Sequence, residues 1–306
     1  MQAIPVLTKA FDRVRWLERL YGDDIPWAAI QDGFELFGEK ILLATKAEGI
    51  FKPKQMPRGI ISIKTTKPRP GRQNIYEDRE VSEGYFRYDL KKGVYDKGSN
   101  KNLMAAFEDQ TPFIYFHAIA EGRYKAIWPC YIRKVHREAM YCEVVLGDSI
   151  PAHADIPNIV VYQNKLEAPV RAYAVRETRV RLHQATFRAN VLKAYNHKCA
   201  LSELPVTPLL EAAHITPDSD SFSSTEISNG IAMSRLHHCA YDRYLIGITP
   251  DLDVAVSDRI LCEADSDLLK ALKNLDGQKL RIPSNPEHQP DKTRLAERYD
   301  EYLLLN

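Results

Sequence analysis

The stretch from Leu209 to Asp242 constrains the fold more than any other part of this chain. It opens with LLEAAHITPD, an apolar run that carries His214 and closes at Pro217, the pattern of a strand leading into a turn. A polar loop, SDSFSSTEIS, follows. Asn229-Gly230 then begins NGIAMSRLHHCAYD, whose apolar positions Ile231, Met233 and Leu236 and paired imidazoles His237 and His238 predict a helix. Fifteen residues separate His214 from Asn229, and nine separate Asn229 from His238. A single histidine after an apolar run is usually a hydrogen-bonded core residue. A histidine ending a strand, an asparagine at a loop exit and histidines on the next helix can instead converge on one ion. The ordered set is far more specific than any of its members.

These residues resemble the HNH, or ββα-metal, nuclease motif. The resemblance covers roughly residues 179 to 247 and extends more weakly to the C-terminal segments. It implies that His214 is the general base, that Asn229 orients the base and ties the loop to the site, and that His238 is the helical metal ligand. Asp242 lies four residues beyond His238 and shares its helix face. Some family members place a second helical ligand there, and a carboxylate suits a hard cation, Mg²⁺ or Mn²⁺. Phosphodiester hydrolysis needs an activated water and charge neutralisation at phosphorus, which a histidine and a divalent ion supply.

The chain departs from the family pattern in two places. The position before the base, often a metal ligand, is Ala213, so the ion needs a donor from elsewhere; Asp242 is the candidate, with Glu211 behind it. Related modules brace the fold with zinc held by two Cys-x-x-Cys or Cys-x-x-His pairs. Here the pairs read Cys199–Ser202 and Ser234–His237, so only Cys199 and His237 are left. Two ligands cannot close a tetrahedral site, and no structural zinc is expected. His237 then reads as a packing or phosphate-contact residue, and Phe187, Val191 and Leu192 as core.

A chain of 306 residues suits two domains. The net charge of +1 hides local asymmetry. Between Gly49 and Tyr76 stand Lys52, Lys54, Arg58, Lys64, Lys67, Arg69 and Arg72 without one acidic residue. A second run, Arg171, Arg176, Arg179, Arg181 and Arg188, faces only Glu177. Solvated basic loops are common, but two such patches beside a nuclease motif suggest a track for double-stranded DNA. Lys52, Lys54, Arg58, Lys64, Arg179 and Arg181 are the candidate DNA contacts. No run approaches the roughly 18 apolar residues of a membrane span, and the N-terminus lacks an apolar signal core, so a cytoplasmic protein without membrane contact is expected. Five widely spaced cysteines do not describe a disulfide framework.

Along the chain, Leu7, Phe11, Val14, Leu17 and Leu20 predict a first helix over 5–21, and a second spans Trp27 to Phe34. Short β-type runs follow (KILLAT, GIISIKTT, GYFRYDL, PFIYFHAI, YKAIWPCYIRKV, YCEVVLG), with a helix at NKNLMAAFED. This predicts an α+β chain: a small β-barrel-like N-terminal domain with helices, and a C-terminal ββα-metal domain. Pro151, Pro157 and Pro169 place the boundary, giving a DNA-recognition domain at 1–150, a linker at 151–170 and the nuclease at 171–306. Residues 171–197 read as a basic helix. A strand pair near LIGITPDLDVAVSD, a helix near DSDLLKALKNLDG, a strand KLRIP and a terminal helix complete the chain.

A β domain fused to an HNH nuclease resembles the modification-dependent restriction endonucleases, whose readers are SRA, EVE/PUA-like or B3-like barrels. The resemblance implies a homodimeric restriction enzyme directed to 5-methyl- or 5-hydroxymethylcytosine. A flipped base needs aromatic faces to stack on. Of Tyr85, Phe86, Tyr88, Tyr115, Phe116 and Trp128, about two thirds are expected in the core; Tyr85 and Tyr88 are the pocket candidates. Two other readings compete: a catalytically inactive HNH-fold DNA-binding protein, because Ala213 removes a ligand, and a nicking or homing-type nuclease without modification dependence.

Overall fold

The structure is a computed structural model that describes residues 3–65, 80–81, 85–147, 182–216 and 226–306. The chain forms two compact units, Met1–Leu182 and His183–Asn306.

The first unit begins with α1 (Ala3–Tyr21), whose Val6, Leu7, Ala10, Phe11, Val14 and Leu17 are all buried at helical spacing. Gly22 ends it at φ +62, the left-handed conformation that closes a helix without a Cβ penalty. After β1 (Ile25–Pro26), α2 (Trp27–Gln31) stops short of the expected Phe34. Gly33 explains this, because a Cβ there would meet the Ile41 carbonyl oxygen at 2.2 Å. Phe34 instead opens the hairpin of β2 (Phe34–Leu36) and β3 (Glu39–Ile41).

The remaining strands are β4 (Ile50–Phe51), β5 (Ser62–Lys64), β6 (Glu80–Val81), β7 (Tyr85–Asp89), β8 (Phe113–Ala120), β9 (Arg123–His136) and β10 (Tyr141–Leu146). Helix α3 (Gly98–Glu108) precedes β8. The sheet runs β4-β5-β8-β9-β10-β7-β6, with β1 added on β9; β5–β8 is parallel and the other pairs are antiparallel. Side-chain alternation sends Ile114, Phe116 and Ala118 of β8 into the core that holds α1. Phe113 and Tyr115 enter the one that holds Leu103 and Met104 of α3. On β9 the alternation changes phase between Trp128 and Cys130, where the register against β8 also slips. Both faces are therefore covered. The sheet is curled, and among the described residues its ladder is an open path from β4 to β6 rather than a closed barrel.

The second unit has its own core. Residues 182–194 form α4, the described part of the expected basic helix. Strand β11 (Leu210–His214) pairs antiparallel with β12 (Gly230–Ser234), and α5 (Arg235–Asp242) follows. The helix expected from Asn229 onward is corrected here: Gly230–Ser234 is the second strand, all five residues buried, and the helix begins only at Arg235. Ser234 then caps α5, its hydroxyl accepting from the His237 N–H at 3.3 Å. The hairpin of β13 (Ile246–Ile248) and β14 (Val254–Val256), short α6 (Asp258–Leu261), α7 (Asp267–Lys273) and α8 (Lys292–Leu305) complete the unit. The expected strand at KLRIP is reduced to one bridge between Asp253 and Lys279. All five cysteines are free thiols. Among the described residues no helix is long and apolar enough to cross a membrane.

Candidate active site

The β11–β12–α5 unit places the motif residues on one continuous scaffold. His214 ends β11 opposite Gly230. Its imidazole stacks on Phe187 of α4, with ring centroids 4.1 Å apart and planes 12° from parallel. Phe187 is thus core, 3% exposed, and also the platform that sets the plane of the histidine ring. Gly230 makes room for it, since a Cβ there would lie 2.7 Å from Phe187 Cζ and 2.5 Å from Val191 Cγ2.

Asn229 is fully buried. Its side chain accepts from the Thr216 N–H at 3.0 Å and donates to the Thr216 carbonyl at 3.1 Å, and its own carbonyl accepts from the Ile215 N–H. It therefore ties Ile215 and Thr216, the two residues after His214, to the start of β12.

On α5, His238 stands between two carboxylates. Its Nδ1 lies 2.7 Å from Glu211 Oε2 and its Nε2 lies 3.2 Å from Asp242 Oδ2, one turn on. Cis ligands on an octahedral ion with bonds of about 2.1 Å stand about 3.0 Å apart, so the Nε2–Oδ2 edge fits a hard divalent cation. Glu211 is on the far side of the ring, and the described residues present no group of three metal-binding side chains. Ala213 is fully buried in the core.

Arg298 of α8 braces this arrangement and was not anticipated. It is 7% exposed, donates to the carbonyls of Ile215 and Tyr241 at 3.1 Å each, and reaches Asp242 Oδ1 at 3.4 Å. One guanidinium thus joins Ile215, just after β11, to the end of α5. Arg188, counted above among the basic run, is likewise structural, donating to the carbonyls of Thr207 and Leu210.

The two remnants of the zinc pattern meet. Cys199 Sγ is 3.3 Å from His237 Nδ1 and accepts from the Ser202 and Ser234 backbone N–H groups. Burial pushes this thiol up, but hydrogen bonds from His237, from the Ser202 side chain and from the Ser202 and Leu201 backbone outweigh it and bring the pKa down to about 6.

In the first unit the expected DNA contacts separate by exposure. Lys54 is solvent-facing, its side chain 80% exposed and 3.6 Å from Glu39. Lys52 donates to the Met56 carbonyl at 2.7 Å, and Arg58 pairs with Glu108 and Asp109. Lys64 is 6% exposed, its ammonium donates to the Thr45 and Lys46 carbonyls, and it lies over the Trp27 ring. It is spent on the interior, and burial lowers its pKa. Tyr85 and Tyr88 are 5% and 6% exposed, Tyr88 edge-on to Tyr115 and Tyr85 beneath Arg133. Arg179 and Arg181 lie outside the described residues.

One comparison with known proteins falls on this segment. A family model described as HNH endonuclease matches residues 199–249, the span that contains β11, β12 and α5. The chain carries an HNH endonuclease domain and is in that sense a hydrolytic nuclease. No curated protein matches the chain. Among solved structures it is similar to a modification-dependent TagI restriction endonuclease, with TM-score 0.31 and 15% identity over 80% of this chain and 82% of that one.

Proposed function

We propose that this protein is a metal-dependent DNA endonuclease of restriction type. The observation that carries the reading is the His238–Asp242 edge one turn apart on α5, in the same ββα unit as His214 and Asn229. In this reading His214, held flat by Phe187, takes a proton from water as its oxygen attacks phosphorus and the ester oxygen leaves. Asn229 ties the two residues after His214 to the start of β12, so the base does not drift from the scissile phosphate. A divalent ion, Mg²⁺ or Mn²⁺, held by His238 and Asp242, would neutralise the phosphate and the leaving oxygen.

The first unit, with cores of its own, is proposed as the reader of 5-methyl- or 5-hydroxymethylcytosine, with Lys52, Lys54 and Arg58 at the phosphates. One site cuts one strand, so a double-strand break by a homodimer belongs to the same proposal; sedimentation of the DNA complex tests it. The buried Ala213, which leaves the ion one ligand fewer, favours a second reading, a DNA-binding protein with an inactive HNH fold. Incubation of the purified protein with Mg²⁺ or Mn²⁺ and matched unmodified, methylated and hydroxymethylated DNA separates these. Cleavage of the modified substrates alone supports the restriction reading, equal cleavage of all three removes the reader, and tight binding without cleavage favours the inactive fold.

A further inference from the structure

A neutral imidazole carries one proton and one lone pair, and which nitrogen holds which decides whether it can face a cation. Each ring nitrogen of His238 faces a carboxylate, and the contact at Nδ1, 2.7 Å against 3.2 Å at Nε2, is the one that takes the proton. The Glu211 carboxylate can only accept, and its Oε2 is 2.7 Å from Nδ1, so a proton on Nδ1 satisfies the contact. Nε2 is then left with its lone pair beside Asp242 Oδ2. The other oxygen of Glu211, Oε1, is 3.1 Å from Arg235 Nε, which leaves Oε2 facing the ring. Asp242 is held in the same manner, with Arg298 on Oδ1 while Oδ2 faces the ring. Glu211 sits on β11 three residues before His214, so one strand carries both the base and this carboxylate.

We infer that Glu211 is a positioning residue. It fixes the Nδ1–H tautomer and the ring orientation of His238, and thereby presents Nε2, next to Asp242, to the divalent ion. The inference rests on the reading of His238 and Asp242 as the ion's ligands. Partners of this kind typically change metal affinity by about 10–100-fold when removed.

The test uses the full-length protein, metal-free, with two readouts: ¹⁵N shifts of the His238 ring at a pH where it is neutral, and Mn²⁺ titration calorimetry. The wild-type ring is expected as the Nδ1–H tautomer. Glu211→Ala should mix the tautomers and weaken Mn²⁺ binding by about 10–100-fold. Glu211→Gln, whose amide oxygen still accepts from Nδ1–H, should retain most of the affinity. An Nε2–H tautomer in the wild type overturns the inference without reference to any variant, so a poorly folding Glu211→Ala does not shield it. Wild-type Mn²⁺ affinity in Glu211→Ala, with His238→Ala impaired, overturns the role of Glu211 alone. Wild-type Mn²⁺ affinity in His238→Ala overturns the ligand assignment, and the inference with it.

Discussion

Gly230 has no room for a side chain, and the atoms that would be struck, in Phe187 and Val191, belong to α4, the helix beside His214. Gly230→Ala should cost about 1–3 kcal/mol, the range for an overpacked core, and lower the melting temperature. Because Phe187 is the ring on which His214 stacks, cleavage should fall by more than the folded fraction explains. His214→Ala should slow cleavage by about 10²–10⁴-fold while Mn²⁺ affinity stays at the wild-type value, which single-turnover kinetics and calorimetry check together. Cys199 makes a pH prediction of definite sign. Its folded pKa, about 6, lies below the ordinary thiol value of 9.0. The thiolate therefore adds stability that is complete above about pH 9 and is lost as pH falls through about 6. Denaturant midpoints measured across that window should rise with pH in the wild type more than in Cys199→Ser.

At the scale of elements, α8 matters to the site through one side chain. Arg298 satisfies two backbone carbonyls and a carboxylate from a buried position above the Tyr241 ring. Lysine keeps the charge but not the fork, so Arg298→Lys should cost about 2 kcal/mol or more and loosen Asp242. A fall in both melting temperature and Mn²⁺ affinity is the expected result; an unchanged affinity would separate the brace from the ion site. The elements also show where periodicity misleads. Gly230–Ser234 is buried on every residue, and a short continuous apolar run cannot be assigned to strand or helix by its spacing alone. Pairing with β11 made it a strand.

At the scale of the molecule, the basic character of the first unit divides into charge that faces water and charge that is consumed inside. Lys54→Gln should reduce the slope of log affinity for DNA against log salt by about 1, in modified and plain DNA alike. Lys64→Gln should leave that slope unchanged and lower the melting temperature instead, because the Thr45 and Lys46 carbonyls lose their donor. Salt-dependent binding assays beside thermal unfolding distinguish the two. An equal loss of slope in both variants would contradict the interior role of Lys64.

What this sequence determined alone was local. The 3.6-residue spacing of α1, the short β-type run that became β8, and the His214–Asn229–His238 order with Asp242 one turn on were legible because each depends on neighbours along the chain. Tertiary structure decided which side chains complete the site and which are consumed by the core. Glu211 meets His238 across 27 residues, and Arg298 meets Ile215 across 83, distances over which no periodicity carries information. Lys64, Tyr85 and Tyr88 suit a nucleic-acid surface by residue type, yet the sheet turns them inward. A side chain's chemistry is written in the sequence, but its partner and its exposure are set only when distant segments pack and exclude water from between them.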